Sequence, residues 1–247
     1  MADVAMHHPA AQAYEPPLFR TNSKKLGMWL FIMSDSLTFG ALLFAYSYGR
    51  ISNPAWPMPF GAASILRASV MTFFLLSSSL TMVLAVRAAT HGRMPGAIRW
   101  LLATMALGTG FVVLHAVEWT GLIQEGLTPF KNPWAAGVPQ FGGTFFTLTG
   151  MHMLHVTLGV IYLGVVALRK KWIPILVVLW LLAWLLTPSS SPFHYGAHVL
   201  LLGAVVASVI LYFKPKIYDA VDVEVSGLYW HFVDLVWIFL FPTLYLL

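Results

Sequence analysis

An all-α polytopic membrane bundle of seven transmembrane helices is the fold class that this sequence predicts, and three observations predict it. Apolar residues make up 59% of the chain and charged residues only 9%, against about 25% charged in ordinary soluble domains. The mean hydropathy is +0.77. The apolar residues also gather into separate runs long enough to cross a hydrocarbon core, with the basic residues confined to the short joints between them. One bundle therefore accounts for residues 26–247, preceded by a polar tail over 1–25.

The spans fall at roughly 26–48, 68–90, 97–121, 142–168, 171–188, 193–213 and 227–247. The first follows a Lys24–Lys25 pair and runs from "LGMWLFIM" to an Arg50 exit. The second contains "LLSSSLT", whose Ser77, Ser78, Ser79 and Thr81 read as hydrogen-bonding glue between helices. In the third and fourth, "GTG" and "GTFFTLTG" are small-residue signals of close helix packing. The fifth is the shortest. "WIPILVVLWLLAWLLTP" offers 16 apolar-dominated residues before its proline, about 24 Å at 1.5 Å per residue, and Lys170 and Lys171 can snorkel to close the gap. "TPSSSP" then turns the chain into the sixth span, so residues 170–215 read as a helical hairpin. The aromatic residues, 15% of the chain, are expected mostly at lipid-facing and interfacial positions.

Loop charge orients the bundle. With the N-terminus cytoplasmic, that side collects Arg20, Lys24, Lys25, Arg87, Arg93, Arg99, Arg169, Lys170, Lys171, Lys214 and Lys216, and the other side Arg50, Arg67 and Lys131. Eleven against three is a strong positive-inside bias. It accounts for the net charge of +5 without nucleic acid. It also places the C-terminus outside. Dropping the hairpin leaves this parity intact. Residues 1–24 lack a basic start followed by an apolar core, so no cleaved signal peptide is expected. The absence of cysteine excludes disulfides, thiolate metal sites and Cys nucleophiles.

Few ionisable groups lie within the spans. Asp35 stands about ten residues into the first, His115 and Glu118 toward the outer end of the third, and His152 and His155 near the middle of the fourth. His194 and His198 open the sixth, and His231 and Asp234 lie in the inner half of the seventh. An unpaired charge at such depth costs at least ~2.5–3.5 kcal/mol, so these groups should face the bundle interior, paired or neutral. His115/Glu118, His152/His155 and His231/Asp234 are each i,i+3 pairs on one helix face. Such pairs can hold a metal or haem where several helices present them at one depth. They can equally serve as interhelical hydrogen bonds or meet phospholipid head groups. No phosphate loop, dinucleotide turn or hydrolase elbow is present.

Four ordered blocks, about 80 residues in all, resemble subunit III of the haem-copper terminal oxidases. "KLGMWLFIMSDSLTFGALLFAY" is similar to that family's helix bearing a buried acid, with Asp35 at the acid position. "HAVEWTGLIQEG" carries the glutamate and following aromatic as Glu118 and Trp119. "GGTFFTLTGMHMLHVTLGVIYLG" matches the block with two histidines, His152 and His155, and "YWHFVDLVWIFLF" the terminal signature with His231 and Asp234. The resemblance implies a non-catalytic subunit of a proton-translocating oxidase in a bacterial cytoplasmic membrane. Its partners would be subunits I and II, which hold the haems and copper, together with phospholipid bound in a cleft. The chain itself would carry no metal. Asp35 would be a supporting buried acid, and Glu118, His152, His155, His231 and Asp234 structural or lipid-cleft residues. In some members the acid reacts with carbodiimides and is dispensable for basal pumping.

Three features depart from the family pattern. Two helices of the long form are missing, as in short bacterial forms. The acid is aspartate, a choice found in quinol-oxidase members and in a subunit associated with nitric oxide reductase. Residues 170–215 have no counterpart, which makes the hairpin an insertion: either lineage-specific packing or an attachment surface for a larger respiratory assembly. The functional expectation is therefore a subunit III of a cytochrome c oxidase, with a quinol-fed oxidase as the runner-up. A haem- or metal-bearing membrane electron carrier, and a transporter using Asp35 and the histidines as a proton relay, are the alternatives from other classes.

Overall fold

The computed structural model describes residues 22–135, 137–138, 140–168 and 219–246. Five long helices account for most of them: α1 (Ser23–Ser52), α2 (Ala62–Thr90), α3 (Met94–Gln124), α4 (Gln140–Leu168) and α5 (Ala220–Phe241). Each of the five segments is long and apolar enough to cross a membrane, so the chain is a multi-pass membrane protein. Even the 22-residue α5, about 33 Å long at 1.5 Å per residue, matches a hydrocarbon core of ~30 Å. A π-helical turn, Pro242–Leu246, continues it, starting where proline withdraws a backbone donor. Among the described residues the only strand-like pairing is the isolated bridge Thr128–Lys131 in the α3–α4 connection.

These five helices fall on the first, second, third, fourth and seventh expected spans. The fifth and sixth, 171–188 and 193–213, lie outside the described residues, as do His194 and His198. Two helices begin earlier than the apolar runs do. α2 starts at Ala62, six residues before the expected 68, because Arg67 interrupts hydropathy without interrupting the helix. α5 starts at Ala220 rather than near 227. Its first turn is polar but held by a capping box, in which the Asp219 side chain accepts from Asp222 N–H and the Asp222 carboxylate accepts from Asp219 N–H.

Helix α5 is the axis of the bundle. It packs on α1, α2 and α4, while α3 closes the ring between α2 and α4, and α1 lies outside against α4 and α5. The α2–α3 hairpin is the tightest pairing, made possible by a reversal at Gly92, whose φ of +73° suits glycine. Helices α4 and α5 run antiparallel: His152 meets Val233, while Tyr162, further along α4, meets Tyr229. α4 therefore ends on the face where α5 begins, and the alternation of the described helices does not depend on the expected hairpin. Lys24 and Lys25 of α1 pair on that same face with Asp222 (2.8 Å) and Glu224 (2.6 Å) of α5.

The aromatic residues correct one expectation. Trp29, Phe44, Phe73 and Phe239 do face outward, but the largest fully buried side chains are Trp230, Trp237, Tyr46, Phe111, Phe141 and Phe145. Without a hydrophobic drive between helices in lipid, association rests on close contact, and flat rings against glycines provide it. Trp230 lies between Gly108 of α3 and Gly159 of α4, where an added Cβ would stand 2.5 Å and 2.9 Å from the ring. The expected small-residue signals thus do their packing at identifiable partners: Gly150 faces Trp119, and Gly142 and Gly143 face the backbone of Thr128 and Pro129.

Candidate functional site: a buried polar lattice

Helices α1, α4 and α5 meet at Asp35 and His155. The Asp35 Oδ2 lies 3.2 Å from His155 Nε2, with both side chains about nine-tenths buried. His155 Nδ1 sits 2.7 Å from the Met151 carbonyl, an acceptor, so that nitrogen carries a hydrogen. The other nitrogen then faces a carboxylate oxygen, and two lone pairs at 3.2 Å repel. A further proton between Nε2 and Oδ2 removes the conflict, whichever atom holds it. The pair is then neutral overall, as an imidazolium with a carboxylate or as an imidazole with a carboxyl. Phe39 packs its edge on the imidazole, and the Tyr229 hydroxyl donates to the His155 carbonyl at 2.9 Å.

Three of the other expected groups, His152, His231 and Glu118, are each held by a helix or turn other than their own. His152 Nε2 lies 3.1 Å from the Val233 carbonyl in α5, so it is the donor. Two residues earlier in α5, the His231 ring bonds Ser79 of α2 at 2.8 Å. Glu118 accepts at Oε2 from the Tyr245 hydroxyl at 2.8 Å. Trp119 donates to Thr149 at 3.3 Å. His115 is fully buried, with neither nitrogen bonded among the described residues, and enclosed by the rings of Phe111, Trp119 and Trp237.

Among the described residues no hydrogen bond joins His231 to Asp234. The Ser79 hydroxyl beside Asp234 is engaged by His231, and neither Asp234 oxygen has a hydrogen-bond partner among the described residues. Nor do the i,i+3 pairs act as pairs. Positions three apart sit about 60° apart around a helix, enough for two neighbours to be reached from one face. His152 turns to α5 and His155 to α1, while Glu118 meets Tyr245 and His115 meets only rings. Among the described residues no three His, Asp or Glu side chains are grouped to hold a metal ion.

Several partners were not legible as site residues. Tyr245 follows the proline that ends α5, and Tyr229 and Trp230 read as membrane bulk. The hydroxyl stretch of α2 was the available signal: Ser78 accepts from Trp230 at 2.9 Å, Ser79 bonds His231, and Thr81 bonds Thr104 of α3 at 2.8 Å. Thr72 extends the series, accepting from Trp237 at 2.9 Å. What this arrangement does chemically is tie the five helices together through buried polar contacts, with Asp35 and His155 meeting where α1 crosses α4.

Comparison with known proteins gives one family. The sequence profile described as Cytochrome c oxidase subunit III matches residues 12–174. The chain is 30% identical over 231 residues to cytochrome c oxidase subunit 3 of Corynebacterium diphtheriae, covering 92% of this chain and 90% of that protein. It is 29% identical to quinol oxidase subunit 3 of Bacillus spizizenii, covering 90% and 86%. To the cytochrome bo(3) ubiquinol oxidase subunit 3 of Pseudomonas putida it is 28% identical, covering 90% and 84%.

Proposed function

Because the chain belongs to the cytochrome c oxidase subunit III family, we propose that it is the non-catalytic subunit III of a respiratory haem-copper oxidase that reduces O2 with electrons from cytochrome c. Membership of that family implies a complex with other oxidase subunits. In this reading subunits I and II hold the haems and copper, and this chain braces subunit I, contacts phospholipid and supports proton uptake. It sits in a bacterial cytoplasmic membrane with its N-terminus cytoplasmic. The 170–215 segment serves either lineage-specific packing or attachment to a larger respiratory assembly.

The observation that carries the reading is the position of the Asp35–His155 pair. Among the described helices α1 lies outermost, and Leu30, Met33, Leu37 and Phe44 on it are exposed. A face this apolar is compatible with lipid or with another membrane subunit, and the pair lies directly behind it. A neutral pair that holds one proton can pass it on or take it back without placing net charge in the bilayer interior. In this reading its role is supporting rather than catalytic, with the redox groups assigned to subunits I and II.

The test is the D35N variant in the purified complex. Initial O2 reduction should persist while turnover decays sooner and proton uptake slows. An infrared band from the shared-proton carboxyl should disappear in D35N. Unchanged proton uptake, unchanged turnover life and no infrared difference would overturn the supporting role of Asp35. A quinol-fed oxidase is the second reading, favoured by relatives named quinol oxidase subunit 3. A dinuclear copper signal from subunit II of the purified complex selects cytochrome c as donor, and its absence together with quinol-driven turnover selects quinol.

A further inference from the structure

At the corner where α2 turns into α3, a cavity of roughly 470 Å3 is lined by Leu84, Arg87, Arg93, Gly96, Arg99 and Trp100, among others. Arg87 comes from the last turn of α2, Arg93 from the reversal and Arg99 from the second turn of α3. The Gly92 turn, closed by the Arg93 N–H bond to the Ala88 carbonyl at 2.9 Å, brings the three cations around one space. None of the three guanidiniums has an ion-pair partner among the described residues. The described acids on this face are already met from α1, Asp219 and Asp222 by Lys24 and Glu224 by Lys25. Three cations around one cavity repel each other until an anion is bound.

The surroundings indicate which anion. The corner lies at the ends of two membrane-crossing helices, at head-group level, with Trp100 40% exposed beside it as an interfacial ring. Below Arg87, on the same face of α2, Val83, Leu80 and Leu76 descend at helical spacing and are all exposed. That stripe is a track for an acyl chain, which a free anion would leave unused. A guanidinium matches the oxygens of a phosphate bidentately, and basic pockets at the ends of transmembrane helices suit anionic head groups.

We propose that the α2–α3 corner binds an anionic phospholipid, with its phosphodiester held by Arg87, Arg93 and Arg99 and an acyl chain laid along Val83, Leu80 and Leu76. This rests on the reading of the chain as a lipid-contacting oxidase subunit and gives that contact a position. It is distinct from the polar lattice, which is buried among the helices.

The experiment is native mass spectrometry of the purified complex containing the full chain, exchanged into detergent with phosphatidylglycerol or phosphatidylethanolamine at matched concentrations. The wild-type subunit should retain phosphatidylglycerol preferentially. R99Q should weaken retention about fivefold, the equivalent of about 1 kcal/mol per interfacial cation. The triple variant R87Q/R93Q/R99Q should lose the preference, whereas R67Q/K131Q, on the opposite face, should keep it. The triple lysine variant preserves the positive-inside count and thus the insertion topology, so it carries the test should the glutamine triple fail to assemble. It should retain the lipid a few-fold more weakly, as point charges replace forks. V83S/L80S should weaken lipid retention without altering the response to inorganic phosphate. Equal retention of both lipids, an R99Q variant indistinguishable from wild type, or displacement of the lipid by millimolar inorganic phosphate would each overturn the assignment. Loss of the partner subunits from wild-type preparations would instead overturn the oxidase reading itself, so the two failures are separable.

Discussion

Replacing Gly108 with alanine tests how tightly the bundle is closed. The added Cβ would stand 2.5 Å from Trp230 Cη2, 2.9 Å from Cζ2 and 3.0 Å from Val160 Cγ2. Carbon atoms at rest sit about 3.5–4.0 Å apart, so the indole has to move by about 1 Å. It has nowhere to go. Gly159 abuts its other edge, and its N–H is tied to Ser78. Overpacking of this kind costs about 1–3 kcal/mol. The assay is the unfolding midpoint of the full chain in mixed micelles, followed by circular dichroism. G108A should lower stability by that amount, and G121A, which meets nothing within 4 Å, should change it by no more than about 0.5 kcal/mol. W230F shortens the ring where the clash occurs, so the double variant G108A/W230F should be more stable than the sum of the single effects by about 1 kcal/mol. A G108A protein as stable as wild type, or strict additivity with W230F, would refute the claim that Trp230 is wedged between α3 and α4.

Three further outcomes are expected. Y245F should destabilise the chain by about 1–3 kcal/mol, because among the described residues Glu118 Oε1 already lacks a partner and Oε2 would lose the one it has; E118Q/Y245F should recover part of the loss, read by the same unfolding assay. D35A should cost about 1–3 kcal/mol by leaving His155 Nε2 facing no partner, and D35N clearly less, since an amide can donate to that nitrogen; equal losses in both variants would contradict the shared-proton contact. Deleting 170–215 should leave the oxidase core assembled on native gels while larger respiratory assemblies fall apart, and disappearance of the core would refute that division.

Run length and the four blocks made the five described spans legible, because twenty apolar residues have few other uses. Helix ends were not legible where polar residues continue a helix. Arg67 hides the start of α2, and the capping box at Asp219 with the Lys24 and Lys25 contacts extends α5 past its apolar run. Spacing identified His152 and His155 as one buried face, but a spacing cannot name a neighbour. That one histidine answers to Asp35 and the other to the Val233 carbonyl depends on how α1 and α5 cross α4. Tyr245 and Trp230 carried no signal of their own, since aromatic residues are common in any membrane chain and only the glycines opposite, Gly108 and Gly159, mark a ring as structural.

What this chain retains when parted from its complex bears most directly on the account, because the lattice is read as helix-to-helix bonding with redox chemistry left to other subunits. The measurement is a reduced-minus-oxidised spectrum with metal analysis, on the oxidase and on this subunit after dissociation. Haem and copper should stay with the partner subunits, and the isolated chain should show no haem band and only trace metal. Stoichiometric haem, iron or copper travelling with this chain, and lost on replacing His152 or His155, would contradict it.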